Sequence, residues 1–346
     1  MAKRTLTYSS LRKFRNCRKQ YFNRIVKELV PLQTDANLWI GSVFHECLER
    51  WGRLDMEGLS RDADAAREIL AHIDQCYPNR AGDPEQNRQW HLNRAMFLGY
   101  IRRYRDEPFR VMAVEKTFDC PIVNPTTGYP SRSFRMAGKV DALVQMKETG
   151  EFFIVEHKSA AQISGDYIER LPLDFQVLLY AHHLSKDMDI PIAGVIYDVV
   201  GKAQLKQKQG ETEEEFEARK AELLAKSKTG KTSAKRRVGE TDEEYQERLA
   251  EKYRDPAMFH REILYVSQAD IGEVVVEVWE LTQQLLRAYN DDRWYRNDSM
   301  CFHYGRPCPY FPLCRSGGNP NLRENLYERK PAHSELVTDG DESPAF

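Results

Sequence analysis

The sequence predicts an α/β protein. Three observations carry that reading: helical spacing of apolar residues over the first hundred positions, a change to period two between 110 and 158, and a helix followed by a further apolar strand over 174–200. With 346 residues, 41% of them hydrophobic and 30% charged, the chain is long enough to bury a core without disulfides. Gly at 19 and Pro at 16 exclude collagenous and low-complexity classes.

The segment 10–28 reads as a basic helix, and 42–54 as a second, with Phe44, Leu48 and Trp51 at core spacing. A third spans 86–105, where Trp90, Arg94, Phe97, Ile101 and Tyr104 recur every three or four residues. Strands follow at 110–118, 134–145 and 151–158, rich in β-branched and aromatic residues. The last two meet through Lys147-Glu148-Thr149-Gly150, a short hairpin with Gly where a positive φ is expected. A helix over 174–185, capped by Asp174, precedes a strand at 193–200.

Residues 202–260 are polar and nearly empty of aliphatic residues, and read as a helical insertion between core segments 1–201 and 261–330. Within it, Gly210-Glu-Thr-Glu-Glu-Glu-Phe216 recurs as Gly239-Glu-Thr-Asp-Glu-Glu-Tyr245, each opening a helix capped by Thr212 or Thr241. Between the copies, Lys226, Lys228, Lys231, Lys235, Arg236 and Arg237 form a basic tip. A strand at 262–267 and a helix carrying Val274, Val278, Leu281, Leu285 and Ala288 resume the core, and 331–346 reads as a disordered tail.

Apolar stretches such as 193–200 fall far short of the roughly 20 residues of a membrane helix, and MAKRTLTYSS lacks an apolar signal core, so a soluble, cytoplasmic protein with no membrane partner is expected. The net charge of -2 decides nothing about a polyanionic partner. Of seven Cys, Cys301, Cys308 and Cys314 crowd together, reading as reduced thiols or metal ligands.

The hairpin carries the most informative pattern: Gly138-Lys-Val-Asp141 on one strand, Ile154-Val-Glu156-His-Lys158 on the next. Antiparallel pairing about residues 148 and 149 joins positions whose numbers sum to about 297, which sets Asp141 opposite Glu156, while Lys158 shares the face of Glu156. Two carboxylates about 5 Å apart repel by roughly 3 kcal/mol at an effective dielectric near 20. A divalent cation removes the conflict, and hard oxygen ligands suit Mg²⁺ or Mn²⁺. The alternative is an exposed acid pair screened by water, Lys139 and Lys158. His45 and Glu49 form an i, i+4 pair on the second helix, Glu115 is a further acid at the centre of a strand, and Gln176 and Tyr180 share a helical face that could meet a phosphate or base, or merely pack.

Taken in order, Gly41-xxx-His45-xxx-Glu49, Gly138-xx-Asp141, Glu156-x-Lys158 and Gln176-xxx-Tyr180 resemble the motifs of RecB-type nucleases in the PD-(D/E)XK superfamily, from about residue 9 to 314 apart from the insertion. Val140 stands where the superfamily name has Pro. The resemblance implies a restriction-endonuclease-like mixed sheet flanked by helices, with His45, Asp141 and Glu156 binding the metal and Lys158 assisting catalysis. Gln176 and Tyr180 would position DNA, to which set we add Glu115 and, on the tip, Lys235, Arg236 and Arg237.

Ser10-Leu11-xx-Phe14-xx-Cys17-xxx-Tyr21, together with Cys301, Cys308 and Cys314, resembles the iron-sulfur-stapled subgroup, which includes AddB-type nuclease domains and CRISPR-associated RecB-like exonucleases. These four thiols would carry a [4Fe-4S] cluster, or alternatively a structural zinc, as a C-terminal staple. The gap between Cys301 and Cys308 is longer than the subgroup's usual spacing. The expected activity is Mg²⁺- or Mn²⁺-dependent exonuclease cleavage of single-stranded or free-ended DNA in recombination, repair or replication; the rival is a non-catalytic DNA-binding subunit of a helicase-nuclease complex. No P-loop motif is present, so a helicase partner would be a separate chain.

Overall fold

Residues 3–32, 36–227, 229–303 and 305–336 are described by the structure, a computed structural model. In chain order these are β1 (Arg4–Leu6), α1 (Tyr8–Asn16), α2 (Arg18–Tyr21), a π-helical turn Phe22–Val26, β2 (Leu29–Pro31), α3 (Ala36–Met56), α4 (Ala63–Cys76) and α5 (Pro84–Arg103). Then come β3 (Phe109–Val123), β4 (Pro130–Met146), β5 (Phe152–Ala160), α6 (Gly165–Glu169), α7 (Phe175–Met188) and β6 (Ile192–Gly201). The remainder comprises α8 (Glu213–Lys226), α9 (Asp242–Lys252), β7 (Phe259–Tyr265), α10 (Gln268–Asn290), β8 (Phe302–His303), β9 (Arg306–Pro307), α11 (Phe311–Arg315), α12 (Pro320–Leu326) and β10 (Tyr327–Arg329).

The fold is the mixed α/β arrangement expected. Six strands form the central sheet; β3–β4, β4–β5 and β6–β7 pair antiparallel, β1–β4 and β5–β6 parallel. Strand β4 is long enough for β3 to cover one edge while β1 and β5 share the other, β1 at Phe134–Met136 and β5 from Ala142 onward. The hairpin register is the expected one, Ala142 with Val155 and Leu143 with Ile154, and Gly150 takes a φ of 73°.

Helices cover both faces. Leu11 and Phe14 of α1, Leu179 and Leu184 of α7, and Val278 and Leu285 of α10 bury against Met136, Ile154, Val195 and Val199 of the sheet. A second core joins Phe44 of α3, Ile73 of α4 and Phe97 of α5 to Tyr245, Leu249 and Tyr253. The polar insertion is thus anchored on its second half: α9 seats Tyr245 and Leu249 in the core, whereas α8 buries no side chain. Both copies of the repeat have the expected capping boxes on Thr212 and Thr241. They also pair with each other: Arg237 N donates to Glu211 and Lys208 N to Glu240, while Arg219 and Arg248 clasp those same two glutamates.

The expected basic helix over 10–28 is broken at Cys17, which is extended at φ -160° and ψ 114°. Asn297, from near the far end of the sequence, donates its amide to Asn16 O at 2.8 Å and its N–H to Cys17 Sγ, satisfying a helix-end carbonyl so the chain can leave the helix there. Helix α4 is unanticipated, although Ala66, Ile69 and Ile73 carry helical spacing. Of the tail expected from 331, Ser334–Leu336 forms a 3-10 turn and 337–346 lie outside the described residues, as does Lys228 of the tip. No helix among the described residues is long and apolar enough to cross a membrane.

Candidate active site

The site lies where β4 and β5 part. Their ladder ends at Ala142 and Val155, and one position further on, Asp141 Oδ2 accepts the main-chain N–H of His157 at 2.7 Å, so a side chain takes the place of the next backbone partner. Glu156 is 4% exposed, and its Oε1 accepts from Lys158 Nζ and, at 2.8 Å, from Gln176 Nε2. Gln176 Oε1 in turn accepts from Lys158 at 3.2 Å, closing a triangle of carboxylate, ammonium and amide. Neither Asp141 Oδ1 nor Glu156 Oε2 takes a hydrogen bond from the described residues.

Each member is held from a different element. Helix α7 starts at Asp174, whose carboxylate caps Gln176 N at 2.9 Å and accepts from Tyr197 on β6 at 2.9 Å, which fixes the first turn carrying Gln176. Helix α3 packs against β3, β4 and β5 and brings His45 Nδ1 to 3.5 Å from Asp141 Oδ2. Gly138 lets β4 pass under Phe118 and Tyr180: a Cβ there would stand 2.7 Å from Phe118 Cε1 and 3.1 Å from Tyr180 Cε1.

The charges are strongly interdependent. Burial opposes ionisation of Asp141, but His45, His157 and Lys158 outweigh it and hold the carboxyl well below the usual carboxylate range. Burial raises Glu156, against the pull of Lys158 and with a further push from Asp141. Burial by itself would lower Lys158; Glu156 and Asp141 reverse this and hold it above the ordinary lysine value. His45 is likewise raised, its burial overcome by Asp141.

A model of the PD-(D/E)XK nuclease superfamily matches residues 5–315. The chain belongs to that superfamily. Comparison with curated proteins gives no match.

The other residues named from the sequence fall in several places. Glu115 is a left-handed residue inside β3, at φ 49°, between the Val114–Ala142 and Lys116–Val140 pairs, and its carboxylate pairs with Lys139. Such a conformation costs a non-glycine residue on the order of 1 kcal/mol. Glu49 pairs with Arg53 at 2.5 Å and lines the same cavity as His45, Glu115 and Asp141. Tyr180 lies buried between Tyr8 and Phe118. On the insertion, Arg236 pairs with Glu213 at 3.1 Å, and Lys235 O accepts from Arg219.

Cys17 and Cys301 lie near enough to Cys308 and Cys314 to act electrostatically on both. Cys301 and Cys308 flank the β8–β9 hairpin, where Phe302 pairs with Pro307, Gly305 turns at φ 72° and Cys308 N donates to Cys301 O at 2.8 Å. That hairpin accounts for the long spacing between them. Burial raises Cys308 and Cys314, and each is pushed further by Cys17 and Cys301. A small core of Leu29, Tyr310, Leu313 and Tyr327, with β2 paired to β10, backs Cys308 and Cys314.

Two groups escaped the sequence reading. His157, whose N–H holds Asp141, lies at 3.5 Å from the buried Asp198, which also accepts from Tyr100 OH and Arg261, both at 2.6 Å; Glu107 completes the network through Arg261. Only the alternating strand position of Asp198 among apolar neighbours could have signalled it. The other group is Glu46 of α3 with His72 and Cys76 of α4.

Proposed function

We propose that this superfamily member is a divalent-metal-dependent deoxyribonuclease that degrades single-stranded or free-ended DNA exonucleolytically, in recombination, repair or replication. One observation carries the reading: two carboxylates, an ammonium and an amide meet at the end of the β4–β5 ladder with the His45 imidazole beside them.

The donors fit a hard divalent ion. Asp141 and Glu156 each keep an oxygen that takes no hydrogen bond from the described residues, and a cation would offset the burial and the Asp141 charge that raise Glu156. His45, Asp141 and Glu156 would hold Mg²⁺ or Mn²⁺. Bound there, such an ion supplies positive charge to the scissile phosphate and lowers the proton affinity of a water. Lys158 is an ammonium with no free pair, so it donates, orienting the water and neutralising phosphate charge rather than acting as base. Gln176 keeps that ammonium aligned with Glu156. The water oxygen forms a bond to phosphorus and gives up one proton to solvent, the P–O3′ bond breaks, and the leaving 3′-oxygen takes a proton from solvent to become a hydroxyl. A 5′-phosphate remains.

Within the same proposal Cys17, Cys301, Cys308 and Cys314 carry a [4Fe-4S] cluster. A single zinc, with Zn–S near 2.3 Å, draws its thiolates to about 3.8 Å of one another. Structural zinc sites usually draw on close Cys pairs, whereas Cys17 lies 284 positions before Cys301, a spacing that favours the cluster. A helicase or recombination protein is the partner this reading implies.

Anaerobically purified protein should show the broad iron-sulfur absorbance and shorten linear DNA from its ends with Mg²⁺ or Mn²⁺. Glu156→Ala and Lys158→Ala should keep the colour and lose cutting. Undiminished cutting by both variants would overturn the site, and a colourless, folded, zinc-bearing wild type would overturn the cluster.

A further inference from the structure

A second set of metal donors stands apart from both sites. On α4, His72 and Cys76 are i, i+4 and project from one helical face; from α3, Glu46 reaches the same point. His72 Nε2 lies 2.9 Å from Glu46 Oε2 and 3.6 Å from Cys76 Sγ, and one donor atom from each of the three residues falls within 4.8 Å of the other two. Among the described residues this is the one set of three His, Cys, Asp or Glu donors so gathered.

The ion pair of Glu46 with His72 needs no thiol to be stable, and a thiol is a poor hydrogen-bond partner. Yet Cys76 directs its sulfur at the same ring nitrogen that faces the carboxylate. The other carboxylate oxygen, Glu46 Oε1, is met by Ser42 Oγ at 3.5 Å, an outer contact of the kind that orients metal-binding carboxylates. The His72 side chain is 17% exposed, which leaves the donors reachable from solvent.

We propose that Glu46, His72 and Cys76 form a site for Zn²⁺, with water as fourth ligand. One sulfur, one imidazole nitrogen and one carboxylate oxygen match a borderline-soft tetrahedral ion and discriminate against Mg²⁺, which prefers oxygen octahedra. The ion clamps α3 to α4. Because Glu46 follows His45 directly, the clamp fixes the rotation of the helix that aims His45 at Asp141.

The test uses the full chain with its four-thiol site loaded anaerobically, Zn²⁺ as the probe, and elemental analysis after desalting. Wild type should hold one more equivalent of zinc per chain than His72→Gln or Cys76→Ser, whatever fills the four-thiol site. Glu46→Gln retains a hydrogen bond to His72, so its folding is preserved and its zinc affinity should fall at least tenfold. With Co²⁺, wild type should give a thiolate-to-cobalt band that Cys76→Ser lacks. Equal zinc in wild type and all three variants, each shown folded by its melting curve, overturns the proposal, as does wild type that retains no zinc outside the four-thiol site. Neither result touches the nuclease reading, which is scored by cutting with Mg²⁺.

Discussion

Asp141 Oδ2 accepts the main-chain N–H of His157 at 2.7 Å, at the point where the β4–β5 ladder stops. The carboxylate therefore has two duties, closing the strand end and facing the ligand space with its other oxygen. Asp141→Asn keeps an acceptor for His157 and should fold with stability near wild type, yet lose at least about a thousandfold in kcat, since several kcal/mol of charge stabilisation go with the carboxylate. Asp141→Ala leaves that N–H unpaired and should cost a further 1–3 kcal/mol or so of stability. Urea titrations beside initial cutting rates separate the two duties; equal stability of both variants would argue against the structural one.

Gly138 is a packing requirement before it is a motif position. A methyl group there enters the space of Phe118 and Tyr180, so Gly138→Ala should destabilise by about 1–3 kcal/mol, the usual cost of overpacking. Pairing it with Phe118→Leu should recover part of the loss, read as a shift in the urea midpoint. A fully stable Gly138→Ala would contradict the close approach.

His183 is 4% exposed, stacked on Phe118, and bonded through Nδ1 to Leu179 O at 2.8 Å. Burial, only partly offset by that carbonyl, lowers its pKa to about 4. Below the unfolded value near 6.5 the unfolded chain binds the proton more readily, so stability from this group is present above pH 6.5 and drains away as pH falls toward 4. Between pH 7 and 5 the loss is about 2 kcal/mol. His183→Phe keeps the ring stack and should flatten the stability curve by that amount; parallel curves for the two proteins would sink the assignment.

Lys235, Arg236 and Arg237 sit on the insertion, with Arg236 paired to Glu213. Contacts to single-strand phosphates contribute about 0.7 each to the slope of log affinity against log salt. Replacing all three with Ala should lower that slope by about 2, measured by fluorescence anisotropy on labelled oligonucleotides with Ca²⁺ in place of Mg²⁺. An unchanged slope would place the DNA path elsewhere.

Much of the site was legible because strand numbering encodes geometry. A hairpin turn at 148–149 with a two-residue side-chain period is enough to set the β4–β5 register and to put Lys158 on the face of Glu156, although the ladder stops at Ala142 and Val155, one step before the expected pairing of Asp141 with Glu156; Asp174 before Phe175 announces the helix that carries Gln176. Glu115 was visible as a misplaced acid, but not its left-handed backbone. For Tyr180 the sequence leaves open contact with DNA or packing; in the fold it is buried, with Gly138 close beneath its ring.

Local pattern by itself determined strands β3 to β6 and helix α7, the hairpin register and the capped repeat in the insertion, because each depends on residues only a few positions apart. Tertiary structure decided the rest: the break of the first helix at Cys17, made possible by Asn297, the meeting of Glu46 with His72 and Cys76, and the anchoring of α9 against α5. These rest on contacts between segments distant in the chain, whose formation depends on how whole faces pack, and no periodicity within one segment encodes which distant face it will meet.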